Sequence, residues 1–123
     1  ARESFVRYLA LYPSGTFTRE SLLRLAELEF VRDEDKAIHY YLRYFEKYPL
    51  HHRVPELQYR VGLIYLQGKR YDEAVSMLEQ ALSNLVHNRD NLRPRIYRAL
   101  HKAMLGAGDM ASARLIEKEY LEK

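Results

Sequence analysis

Small and bulky positions recur along this chain in one fixed spacing. Ala1, Phe5 and Tyr8 stand four and three residues apart, and Pro13 follows. The same set returns as Ala37, Tyr41, Tyr44 and Pro49. It appears again as Ala74, Leu78 and Ala81, and a fourth time as Ala113, Glu117 and Tyr120. Residues at i, i+4 and i+7 share one face of an α-helix. A small first residue lets a neighbouring backbone approach, and the two later positions supply bulk. The proline then stops the helix, because it has no amide hydrogen to give the preceding turn.

The alanines step by 36, 37 and 39 residues, a period that predicts stacked helical hairpins. A partner helix precedes each alanine. Before Ala74 it reads Tyr59 to Tyr65, followed by the turn Gln67-Gly68-Lys69-Arg70. Gly62 lies inside that helix at a propensity cost of roughly 1 kcal/mol relative to alanine. Its presence predicts close contact with the facing helix. Leu25-Ala26 stands in the corresponding place before Ala37, and Leu100-His101 with Met104 before Ala113. Glu117 at a bulky position predicts that the last helix leaves part of this face open. Pro55 and Pro94 fit the first turn of a helix, where no donor is needed.

The resulting expectation is all-α, with seven helices over about residues 1–12, 18–31, 34–48, 55–67, 71–86, 93–106 and 110–122. It forms one domain of a half repeat (1–13) and three repeats (about 14–49, 50–88 and 89–123). Residue 1 already stands inside a helical pattern, so a piece of a longer chain is expected.

Composition sharpens this picture. The 123 residues are 47% hydrophobic, enough for a core. Eleven tyrosines, no tryptophan and nine glycines plus prolines favour helices with large aromatic knobs between them. With no cysteine, disulfides, thiolate metal sites and cysteine nucleophiles are excluded. The net charge of +3 is spread over 30% charged residues, which describes a solvated surface. No apolar run approaches the length of a membrane span.

Chemistry is hard to place on this chain. The five histidines include no His-Glu-x-x-His pair, and His51-His52 reads as a solvated turn. Asp33-Glu34-Asp35 lacks a calcium loop and reads as helix-start charge. Gly106-Ala107-Gly108 is too short to cradle a phosphate and reads as a helix end before an Asp109 cap. Ser14 and Ser21 have no neighbouring base. The reading is a non-enzyme with no cofactor and no metal.

The stretch from Tyr59 to Ala81 resembles the tetratricopeptide repeat, with Val61-Gly62, Tyr65, Ala74, Leu78 and Ala81 at its characteristic places. Gln58 stands where that family usually has tryptophan. The resemblance implies a right-handed solenoid that binds a protein or peptide on the concave face formed by the first helix of each pair. Carried over residue by residue, it offers Glu20, Leu23, Glu27, Phe30 and Val31 in one repeat. The next offers Glu56, Tyr59, Leu63, Leu66 and Gln67, and the last Arg95, Arg98, Lys102 and Leu105. Within this set Leu23, Glu27, Phe30, Tyr59, Leu63, Leu66, Arg95, Arg98 and Lys102 are the expected contacts. The Lys and Asn clamp by which some members hold a terminal carboxylate is absent from these positions.

Tyr12-Pro13-Ser14 followed by Ser21 to Leu28 further resembles bacterial cell-envelope members of the family, those of the BamD-like outer-membrane assembly and Tol-Pal coordinator groups. That implies a periplasmic or membrane-associated scaffold, a cytoplasmic one being the alternative. Residues 89–102 hold Arg89, Arg93, Arg95, Arg98 and Lys102 against Asp90 alone. An RNA or nucleoprotein accessory using this patch is therefore a rival reading. A structural spacer within a multidomain protein is another, and exposed repeat ends would allow a homo-oligomer.

Overall fold

The computed structural model describes residues 2–15, 17–85 and 92–121. Seven α-helices are present among them: α1 Arg2–Leu11, α2 Thr18–Phe30, α3 Glu34–Lys47, α4 Val54–Gln67, α5 Tyr71–Asn84, α6 Leu92–Ala107 and α7 Met110–Ile116. A π-helical segment, Glu117–Leu121, continues α7. The first six expected helices are found within one or two residues of their expected bounds, whereas the seventh, expected over 110–122, is α-helical only to Ile116 and continues as the π-helical segment. Pro13 and Pro49 follow the ends of α1 and α3, while Pro55 and Pro94 lie in first turns. The expected start of the first repeat at Ala1, the His87 loop, and Arg89 and Asp90 of the basic patch fall outside the described residues.

The chain divides into two compact units, Ala1–His51 and His52–Lys123. In the first, α2 packs on both α1 and α3. Ala37, Tyr41 and Tyr44 are all but completely buried, as the recurring spacing requires. Burying each large ring contributes roughly 1.5–3 kcal/mol. The Tyr44 hydroxyl lies 3.1 Å from His51 Nδ1, so a core tyrosine keeps a polar partner. Asp33 caps α3 by accepting from the Lys36 amide at 3.2 Å. Arg2 reaches from α1 to the buried carboxylate of Glu29 on α2. Lys47 donates to the Pro13 carbonyl at 2.6 Å and to Ser14 Oγ at 3.0 Å, which ties the end of α3 to the α1–α2 turn.

In the second unit α5 packs between α4 and α6, α4 also touches α6, and α7 closes on α6. Ala74, Leu78 and Ala81 are fully buried and Ala113 nearly so. A Cβ placed on Gly62 would lie 2.6 Å from Leu78 Cδ2, the predicted close contact between α4 and α5. Gln58, in place of the family's tryptophan, is buried and accepts a hydrogen bond from Asn84 Nδ2 at 3.0 Å. The α4–α5 turn departs from the usual arrangement. Gly68 has an ordinary φ of −84°, and Lys69 takes the left-handed position at φ 60°. Asp109 caps α7 through the Ser112 amide at 3.1 Å.

Candidate functional site

The nine expected contact residues divide between the units. Leu23, Glu27 and Phe30 belong to α2 of the first. Leu23 is only 5% exposed, because its face of α2 is the one that packs within the unit. It offers a partner no surface there. Glu27 is exposed, but Arg24 lies 3.8 Å from its carboxylate and also donates to Glu20 at 3.2 Å. One guanidinium thus offsets both acids. Phe30 is 41% exposed at the end of α2, and Val31 beyond it 87% exposed. What α2 presents is a narrow apolar edge.

The other six residues lie on α4 and α6, which touch each other. On α4, Tyr59 and Leu66 are half-buried and Leu63 is 37% exposed. Residues 59, 63 and 66 follow the i, i+4, i+7 spacing and so form one stripe. Arg95, Arg98 and Lys102 repeat that logic on α6, at i, i+3 and i+7, and all three are exposed. No acidic residue occurs anywhere in α6. Among the described residues these three cations form no ion pair, whereas Arg93 is already engaged. Leu105, 42% exposed, extends the stripe by one turn. Glu56, at the start of α4, is held by Arg53 at 3.0 Å.

α4 thus carries an aromatic and aliphatic stripe, and α6, which touches it, carries a row of exposed cations with no ion pair among the described residues. Such a row favours carboxylate or phosphate groups, since each cation can form a charge-assisted hydrogen bond with an incoming oxygen. Among the described residues no cluster of three or more His, Asp or Glu could hold a metal. No helix among the described residues is long and apolar enough to cross a membrane. His51, one of the paired histidines of the loop, is turned to the Tyr44 hydroxyl.

The opposite side of α6 went unnoticed in the repeat pattern. There Tyr97 stacks on Tyr120 with ring centroids 3.9 Å apart and planes only 8° off parallel. Contact with Tyr97, first by hydrogen bonding and then by its charge, holds the Tyr120 phenol above its ordinary range. One turn along, His101 Nε2 approaches the Glu117 carboxylate at 3.5 Å. Glu117 in a bulky slot was the sequence signal that the last helix closes incompletely. The cleft it leaves needs the three-dimensional arrangement to be seen.

Comparison with known proteins gives a family and a partial relative. A profile of the family described as "Tetratricopeptide repeat" matches residues 55–84, and a second profile with the same description matches residues 20–51. Together they take in half of the chain. "Outer membrane protein assembly factor BamD" of Xylella fastidiosa (strain 9a5c) is 34% identical over 64 residues. That similarity covers 51% of this chain and 22% of that protein, so the matched part is about a fifth of the relative's length.

Proposed function

Since the chain belongs to the tetratricopeptide repeat family, whose repeats mark protein–protein interaction scaffolds, we propose that it binds an acidic, amphipathic segment of another protein along the α4–α6 face. The observation that carries this reading is the row Arg95, Arg98 and Lys102, exposed and without an ion pair among the described residues. Carboxylates spaced along one face of a partner helix would neutralise that row. Apolar residues on the same face would seat against Tyr59, Leu63 and Leu66. Tyrosine and arginine recur among the residues that dominate binding energy, and complementary charge steers the encounter. The role is non-catalytic, as is typical of the family. Partial similarity to an outer membrane protein assembly factor supports a place in a bacterial envelope assembly, at or near a membrane.

The test uses a synthetic amphipathic helix of leucine and glutamate, titrated against the chain by fluorescence anisotropy. Arg95→Glu with Arg98→Glu should weaken binding by about tenfold or more, and Tyr59→Ala with Leu63→Ala should do the same. The unpaired cations also favour a second reader, single-stranded RNA. If RNA binds with a salt slope of several phosphates, and only the arginine reversal abolishes it, the nucleic-acid reading replaces this one. If the peptide binds equally well to all variants, the face is not the site.

A further inference from the structure

Tyr97, Leu100 and Met104 stand about half a helical turn from Arg95, Arg98 and Lys102 on α6. They floor a cleft of about 470 Å³ between α5, α6 and α7 with its π-helical extension. That volume lies in the range of ligand pockets, roughly 300–1,000 Å³. Leu100 and Met104 are buried at its base, and Leu115, 55% exposed, rises on one wall. Leu82 and Ile116 complete the apolar lining. Among the described residues, the charged groups that line it are the carboxylates of Glu79 and Glu119. Glu79 on α5 and Glu119 in the π-helical segment are both exposed and form no ion pair among the described residues. An apolar floor lined with exposed acidic groups has the chemistry of a helix-binding groove of one sign.

We propose that this cleft docks a basic amphipathic helix of a partner protein. Aliphatic anchors at i and i+3 or i+4 enter between Leu100, Met104 and Leu115, while lysines or arginines beside them meet Glu79 and Glu119. α6 then serves two partners of opposite charge. Its basic face takes the acidic segment, and its apolar face floors the groove for the basic one. The second site stands whether or not the first does, because no residue is shared between them.

The probe is a synthetic amphipathic helix of leucine and lysine, with the leucine–glutamate helix as its counterpart, both titrated against the chain. Glu79→Lys with Glu119→Lys changes two exposed groups and should weaken the lysine peptide by about tenfold. Leu115→Asp should weaken it comparably, and Arg95→Glu with Arg98→Glu should leave it within about twofold. The charge-reversed double variant should in turn gain affinity for the glutamate peptide. Lysine-peptide binding indifferent to both Glu79→Lys/Glu119→Lys and Leu115→Asp would overturn the proposal. Binding that responds to the charges and to salt but not to Leu115→Asp would also overturn it, since attraction without a groove needs no apolar wall.

Discussion

Gly62→Ala measures how tightly α4 and α5 meet. The new methyl carbon would lie 2.6 Å from Leu78 Cδ2 and 2.7 Å from Cγ. Ordinary carbon contacts sit at about 3.5–4.0 Å, so the shortfall is about 1 Å at two atoms. Leu78 is fully buried and cannot swing into solvent. Overpacking of this kind costs about 1–3 kcal/mol, and alanine's better helix propensity returns about 1 kcal/mol. The net loss should be about 1 kcal/mol, or about 4–8 °C in Tm for a unit of this size. Urea unfolding followed by circular dichroism gives the number, with the slope m unchanged. Gly68→Ala is the control. Its φ is ordinary and the nearest atom to a new Cβ is 3.6 Å away, so it should be neutral or mildly stabilising. Leu78→Ala should cost less in the Gly62→Ala background than in the native chain, because the smaller side chain removes the clash. Equal or greater stability of Gly62→Ala, matching Gly68→Ala, would refute the close approach.

Other outcomes follow from the same geometry. Lys69→Gly should stabilise the second unit by about 1 kcal/mol in urea unfolding, since a left-handed position strains a side-chain-bearing residue. Asn84→Ala should cost about 1–3 kcal/mol by leaving the buried Gln58 carbonyl unmet, and adding Gln58→Leu should recover much of that loss. Hydrogen bonds from the Ser112 side chain and amide hold the Asp109 carboxyl below the usual aspartate range. The cap's contribution is therefore present above that range and lost as pH falls through the lowered value. An NMR titration should place the Asp109 midpoint below that of an ordinary aspartate, and Ser112→Ala should move it upward.

Helix positions were legible because each depends on a local rule. The Ala-x-x-x-bulky-x-x-bulky frame marked Ala37, Tyr41 and Tyr44 as core, and prolines marked the boundaries. Gly62 was legible for the same reason, as a cost that only a close neighbour explains. Lys69 was not. A Gly-Lys pair leads one to expect glycine in the left-handed place, but the hydrogen bonds that close the α4–α5 turn place the residue after it there. The candidate surface was half legible. Family resemblance offered Arg95, Arg98 and Lys102 together, but whether acids lay opposite them was a matter of tertiary contact. Leu23 shows the reverse, a position offered by family resemblance whose side chain packing in its own unit has claimed. The cleft beneath Tyr97 stayed hidden because it arises where three helices fail to fill a space, and no single helix carries that information.

On the proposed reading the α4–α6 face, whose cations form no ion pair among the described residues, receives an acidic amphipathic partner. Amide chemical-shift mapping with the leucine–glutamate helix locates the bound probe directly. The largest shifts are expected at residues 59–66 and 95–105, collapsing in Arg95→Glu/Arg98→Glu. Shifts confined to α5 and α7, or a map unchanged by that double substitution, would contradict it.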